Sequence, residues 1–399
     1  MICNENELES LKPYHPLGAW AMQDPCYARV CVEWRQVALS SPQLFKTIYL
    51  NDADLSPRNM DRFVCGISGY LVRSSQVPLC VNVDHTGNDE GFMENAVWRR
   101  LLEESHRWRT LSLRLDVACL RQIPPLDLPV LQVVDLFVGH TAPRLEGGSA
   151  NSLPLLGLEN AHGVRHASVQ LAPGVFPDTE DLELPPSWHL TILILNTDFL
   201  DNMLQAIRVV GPTLDTLWVH TKHAPPLMDE AGQYLLPDQE GAVDLPVLKH
   251  LSTMHGGSDM IFFVHAPSLQ SLAMRIPQTD CLDPLLRMIK RCRLQSTLTS
   301  LSIAAIQNPR ESDYETLLEC LRELTAVSSL SLRNTDGRPE HSVVRNRLIS
   351  DLVGESGQSP CLPNLRSLSL WHGQRNIYGG YIAHLIYETI KCFFDHFGL

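Results

Sequence analysis

The chain has 399 residues, with 45 Asp and Glu against 32 Lys and Arg, for a net charge of −13 at pH 7. That length suits two or three ordinary domains or one long solenoid, and 44% hydrophobic with 19% charged residues describes a globular protein with a large core. The negative balance argues against general phosphate-backbone binding, which needs clustered Lys and Arg, and favours protein partners over nucleic acid. In chain order, residues 1–16 are polar, contain Pro13 and Pro16, and read as a mobile leader. Asp24-Pro25 predicts a helix start, an N-cap carboxylate followed by Pro at the first position. Tyr27, Val30, Cys31, Trp34, Val37 and Ala38 follow at helical spacing and form one apolar face. Ser40-Ser41-Pro42 ends the helix, because the residue before a proline is pushed out of the α region. By periodicity alone this is a core-facing amphipathic helix, with a short second element from Leu44 to Leu50.

The run from Ala28 to Phe45, A-R-V-C-x-x-W-R-x-x-A-L-S-S-P-x-L-F, resembles the C-terminal half of an F-box, in particular that of the F-box-like proteins of fungi. Val30, Cys31, Trp34, Arg35, Ala38, Leu39 and Pro42 carry the resemblance, while Leu17 to Met22 (LGAWAM) stands as a degenerate first helix. The resemblance implies an F-box-like segment over 17–50 that docks on the Skp adaptor of a cullin-type ubiquitin ligase. The implied adaptor contacts are Leu17, Trp20, Val30, Trp34 and Leu44. Residues 51–107 then read as a helix-strand-helix bridge: a helix from Ser56 or Pro57 to about Ser74, a strand over Leu79 to Val83, and a helix within Phe92 to Arg107. This bridge also looks like the segment that follows the box in those proteins.

From Trp108 onward one pattern returns: an apolar residue, two variable ones, then two apolar residues separated by one. It occurs as WRTLSL from Trp108, LQVVDL from Leu131, VRHASV from Val164, LTILIL from Leu190 and LDTLWV from Leu214. LKHLST from Leu248, LQSLAM from Leu269, LTSLSI from Leu298, VSSLSL from Val327 and LRSLSL from Leu365 complete ten copies. Their starts lie 21 to 38 residues apart, looser than but close to leucine-rich repeats. The expected fold class is therefore α/β: the short helical F-box-like segment, then over 108–399 an irregular leucine-rich-repeat solenoid of short parallel strands. Asp283-Pro284 opens a helix through Cys292, and Ser312 with Glu315 reads as a capping box for another. The returns Pro143 to Pro154 and Pro225 to Asp244 read as irregular, and Tyr381 to Phe397 as an amphipathic helix that caps the last edge.

Inward leucines leave the alternate residues on the opposite face of each strand. Most of those are serines, but the middle copies place Ile192, Ile194, Trp218, His220, His250 and Met254 there, with Trp371 at the far end. These are the candidate target-binding residues, with a fold-over of Ala224 to Asp244 as the alternative that would make them core. No G-x-S-x-G elbow, Walker loop or G-x-G-x-x-G occurs, and no acid, base and nucleophile converge, so a non-catalytic binding protein without cofactor is expected. His162 with His166 and His220 with His223 lack a third ligand at metal spacing. Eleven scattered cysteines without a C-x-x-C pair read as reduced thiols in cytoplasm or nucleus. The acidic start and the absence of a long apolar run predict neither a signal peptide nor a membrane span. Two functions stay open: a substrate-recognition subunit of a ligase built from Skp, cullin and F-box components, with an unknown protein substrate on the repeats, or a leucine-rich-repeat interaction module with a decayed box and no ligase role. They differ in whether Trp34 and Val37 face a partner or the chain's own first repeat.

Overall fold

A short apolar motif that returns ten times cannot bury its leucines within one copy, so each copy needs a neighbour of the same kind. The structure, a computed structural model, describes residues 31–52, 60–85, 91–139, 152–172, 181–197, 201–221, 242–275, 281–304, 311–334, 346–353 and 361–372. The chain divides into two compact units, residues 1–149 with 154–165, and residues 150–153 with 166–399. Both are mixed α/β with parallel strands.

The first unit holds α1 (Val32–Leu39), a 3-10 turn (Pro42–Phe45), β1 (Thr47–Asn51), α2 (Met60–Ser74), β2 (Leu79–Asp84), α3 (Ala96–Leu102), β3 (Trp108–Asp116), α4 (Val117–Gln122) and β4 (Val133–Gly139). The strands pair in sequence order, all parallel: Ile48 beside Val81, Val81 beside Leu111, Leu111 beside Val134. Among the described residues the parallel strands thus begin at Thr47, earlier than the repeat pattern itself. Phe92, Trp98 and Trp108 are buried in series, Phe92 stacked on Trp98 at 5.1 Å and Trp98 tilted against Trp108 at 5.9 Å. Buried Arg107 ties this layer together, donating to Glu104, to Ser74 Oγ and to the Val77 carbonyl.

One expectation fails here. The helix predicted to run unbroken from Pro25 past Cys31 is interrupted, because Cys31 is extended (φ −154°, ψ 175°) and acts as the N-cap of α1. Its thiol sulfur accepts the Trp34 N–H at 3.4 Å. A residue that counts as apolar in the periodicity is used as a polar cap, so the 3.6-residue spacing hides the break. Asp24 and Pro25 lie outside the described residues.

The second unit contains β5 (Ser152–Pro154), β6 (His166–Leu171), β7 (Asp181–Glu183), β8 (Ile192–Thr197), α5 (Asp201–Val210), β9 (Thr216–Thr221), β10 (Val243–Asp244), β11 (His250–His255), α6 (Met260–Phe263), β12 (Val264–His265), β13 (Ser271–Arg275), α7 (Leu282–Cys292), β14 (Ser300–Ala304), α8 (Glu311–Glu323), β15 (Ser329–Asn334), α9 (Asn346–Val353) and β16 (Ser367–His372). Its main strands lie in the order β6-β8-β9-β11-β13-β14-β15-β16 and are parallel throughout. Each of the ten motif copies is one strand of the two units. β5 with β7 and β10 with β12 form small separate pairs.

The motif's first apolar residue sits in a tight turn and its last two in the strand. The Leu248 N–H closes on the Leu245 carbonyl, Leu269 on Ala266 and Val327 on Leu324. The next residue then donates to the preceding copy: Lys249 to Asp215 O, Gln270 to Lys249 O, Thr299 to Gln270 O, Ser328 to Thr299 O and Arg366 to Ser328 O. This recurring pair of bonds holds register although the returns differ in length. The inward pairs Leu193/Leu195, Leu217/Val219, Leu272/Met274, Leu301/Ile303 and Leu330/Leu332 are buried, and α7 adds Leu285, Met288, Ile289 and Cys292 to the same layer. In β16 the corresponding Leu368 and Leu370 are only half-buried. The expected capping helix Tyr381 to Phe397 lies outside the described residues. Helix α7 runs to Cys292 as predicted but starts at Leu282, so Asp283 falls in its first turn, and α8 starts at Glu311, so Ser312 likewise falls in its first turn rather than at the cap. The two irregular returns lie mostly outside the described residues, and their ends supply β5 and β10.

Two polar groups of this unit support predictions. Thr253 occupies an inward position flanked in register by Val219 and Met274, is fully buried, and its Oγ1 has no hydrogen-bond partner. Removing an unsatisfied buried hydroxyl without changing shape is favourable. Thr253→Val is expected to raise unfolding stability by about 1–2 kcal/mol in a denaturant titration; a loss of stability would contradict it. Asp259 ends a 3-10 turn (Gly256–Asp259) packed against β9 and β11, where a Cβ on Gly257 would come within 2.6 Å of the Val219 carbonyl. Burial pushes the Asp259 carboxyl up to about 6. Because its folded value is raised, the stability it contributes is full below its unfolded value near 4 and is lost as pH rises through about 6. Asp259→Asn should therefore overtake the parent between pH 4 and 7 by up to about 3 kcal/mol. Parallel stability profiles for the two proteins would overturn this.

Candidate interaction surfaces

The first surface is built on α1, whose eight residues are closed at both ends by side chains. Cys31 caps the start, and the Ser40 and Ser41 hydroxyls both donate to the Val37 carbonyl, at 3.0 and 2.8 Å. Pro42 then turns the chain so that Phe45 becomes fully buried, edge-on to the Tyr70 ring at 5.1 Å. The Tyr70 hydroxyl donates to the Thr47 carbonyl at 2.9 Å, fixing the turn against α2. Ala38 and Phe45 are the residues of this segment that enter the core, together with the inward side chains of β1. The other large apolar groups point away: Val32 is 64% exposed, Trp34 58%, Val37 58% and Leu44 39%.

These four fall between Val32 and Leu44 and make up half of the exposed large hydrophobics among the described residues. The others, Val72, Val130, Val209 and Val247, each stand alone on their element. Exposed apolar groups occurring singly are ordinary, whereas a cluster marks a contact surface. Trp34 and Leu44 are both exposed, and Val37 lies one turn along α1 from Trp34, whereas Val32, two positions before Trp34, faces another side of the helix. Leu17, Trp20 and Val30 lie outside the described residues. The Glu33 carboxyl, also on this exposed segment, is held below its usual range by its own backbone N–H and by the Cys31 thiol.

No family model matches the chain, and no curated protein matches it. Its reading rests on its own residues.

The second surface is the outward face of the second unit's strands. Registry arranges it in three rows. The first runs His166, Ile192, Thr216, His250, Ser271, Ser300, Ser329, Ser367. In the second, Ser168, Ile194, Trp218, Ser252, Ala273, Ser302, Ser331 and Ser369 stand side by side. The third contains Gln170, Asn196, His220, Met254, Arg275, Ala304, Arg333 and Trp371. Ile192, Ile194, Trp218, His220 and Met254 are half-buried and His250 is exposed, so the six share one accessible face. Registry sets the neighbours within this face: Ser252 stands opposite Trp218, and Met254 stands opposite His220. Trp371 is placed by register alone, since its side chain is outside the described ones. The His220 ring also stacks on His255 at 5.1 Å, which reaches it through a left-handed turn (φ 53°) ahead of Gly256-Gly257. That contact spans two strands and leaves no local signal, apart from the glycine pair.

Several other reactive groups serve the fold. His85 Nδ1 lies 2.6 Å from Asp52 Oδ1 and ties the end of β2 to the end of β1. Cys281, Cys292, Cys320 and Cys361 are buried, and burial raises the Cys320 and Cys361 thiols, which disfavours the reactive thiolate. Among the described residues no group of three or more His, Cys, Asp or Glu has metal-binding geometry, and no helix is long and apolar enough to cross a membrane.

Proposed function

We propose that the chain is the substrate-recognition subunit of a Skp-cullin-F-box type of ubiquitin ligase, acting in cytoplasm or nucleus. The F-box-like segment binds the Skp adaptor, and the strand face of a leucine-rich-repeat-like solenoid binds a protein substrate. The observation that carries this reading is the exposure of Trp34 and Val37, one turn apart on α1. A segment serving only to cap the first repeat would turn Trp34 and Val37 inward; here Ala38 is the residue of α1 that is buried. The recurring turn and backbone bonds of the motif copies support the repeat part of the reading.

The test is co-purification of the full-length chain with the Skp adaptor and cullin, with Trp34→Ala as the variant. Retention by the parent and loss in a folded variant supports the reading. A well-folded parent that binds no adaptor leaves the other reading, a repeat-based interaction protein with a decayed box.

A further inference from the structure

We propose that the chain is kept poor in ubiquitin acceptors, with arginine standing where lysine would serve, so that transfer inside the ligase spares the recognition subunit and goes to the bound target. This rests on the ligase reading above and adds its regulation. The sequence holds 26 Arg but only 6 Lys, and no lysine occurs between Lys46 and Lys222, a stretch with 12 Arg. Both side chains serve as solvated surface cations, but only the lysine amine accepts ubiquitin; the guanidinium is delocalised and stays protonated. In that transfer the Lys Nζ attacks the thioester carbonyl at the C-terminus of ubiquitin. An isopeptide bond forms, the carrier enzyme's cysteine leaves as thiolate, and the ammonium proton passes to solvent.

The structure separates arginines that the fold needs from arginines that it does not. Buried Arg107 donates to Glu104, Ser74 and Val77, and Arg291 donates to the Ile261, Phe262 and Val264 carbonyls. The Arg114 guanidinium lies over the Phe137 ring at 4.8 Å. Each of these uses the planar fork, which a lysine cannot reproduce. Arg62 on α2, Arg99 on α3, Arg287 on α7 and Arg366 ahead of β16 are different. All four are exposed, and among the described residues their side chains make no hydrogen bond, ion pair or ring contact. Lysine and arginine favour a helix almost equally, so the helices do not select between them either.

The lysines that remain are placed consistently with this. Lys249 Nζ lies 2.6 Å from Asp215 Oδ1, and Lys290 Nζ 2.7 Å from Glu319 Oε1. The hydrogen bond to Glu319 raises Lys290 further above its usual range, which holds it as the ammonium, the form that cannot attack a thioester. Lys46 is exposed and follows Leu44 within the F-box-like segment, the part of the chain that the ligase reading gives to the adaptor. Lys12, Lys222 and Lys391 lie outside the described residues.

The experiment compares the full-length parent with Arg62→Lys/Arg99→Lys/Arg287→Lys/Arg366→Lys, each fused to a ubiquitin-conjugating enzyme so that transfer needs no adaptor. Ubiquitin, its activating enzyme and ATP are added, and modified lysines are followed over time by peptide mapping. The variant is expected to gain isopeptide-linked ubiquitin about three- to fivefold faster, on the introduced lysines, with an unchanged thermal midpoint. Equal rates in parent and variant overturn the proposal. A lowered midpoint in the variant also overturns it, because the fold would then require the guanidinium groups. A second arm assembles the unfused proteins with the Skp adaptor and cullin, where the same difference in self-modification is expected. A chain that holds the adaptor but shows equal rates refutes only this inference. One that shows the difference when fused, yet holds no adaptor, refutes only the ligase assignment.

Discussion

Truncating Leu301 to Ala should lower unfolding stability by about 2–5 kcal/mol, and Leu217→Ala should do the same. Leu301 lies in β14, flanked in register by Leu272 of β13 and Leu330 of β15, with all three essentially inaccessible. Leu217 lies in β9 between Leu193 and Leu251 and is equally buried. Removing either side chain deletes burial worth roughly 1.5–3 kcal/mol and leaves a hole bounded by strands that their ladder hydrogen bonds keep in place. The surroundings can collapse only partly, which is why the loss exceeds the transfer term. Ser302→Ala, one residue along β14 but on the half-exposed face, should change stability by less than about 0.5 kcal/mol. Denaturant unfolding of the three variants checks this. Equal effects for Leu301→Ala and Ser302→Ala would mean that the two faces of β14 are not differently packed.

The second large effect expected is on adaptor binding. Trp34 exposes more than half of its surface, so Trp34→Ala removes little from the core, and the thermal midpoint should hardly move. A tryptophan that anchors an interface commonly carries 2 kcal/mol or more, equivalent to a loss of affinity of about thirtyfold. Val37→Ser probes the same ridge with a smaller group and should weaken binding less. Affinity for the purified Skp adaptor, measured by calorimetry alongside the melting curve, separates the outcomes. A large drop in the midpoint on Trp34→Ala would show that the indole supports the fold, and the adaptor surface would have to be sought elsewhere.

Much of the strand architecture is legible in the order of the amino acids. An inward pair separated by one residue has period two, and a lead apolar residue placed three positions earlier marks the turn that feeds each strand. Both are local, so WRTLSL, LDTLWV or LRSLSL announces a strand by itself. Helix α7 is equally readable, since Asp283-Pro284 and Leu285, Met288, Ile289 and Cys292 lie within one short window. The break at Cys31 is not readable, because a thiol that caps a helix counts as apolar in any periodicity. Nor is β1: the alternation in Thr47–Asn51 is too short to mark a strand until β2 is set beside it, more than thirty residues away in the chain.

For the candidate surfaces the division runs the same way. The amino-acid order determined which side chains alternate within each strand, and therefore that Ile194, Trp218 and Met254 share a face, as do Arg275 and Arg333. Only the tertiary structure decided who stands beside whom, that Ser252 meets Trp218 and Met254 meets His220, that His255 stacks on His220, and that Trp34 and Val37 point outward while Ala38 points in. The reason is physical: a strand's own alternation is set by neighbouring dihedral angles, whereas register is set by hydrogen bonds between copies 21 to 38 residues apart, whose intervening segments share no common length.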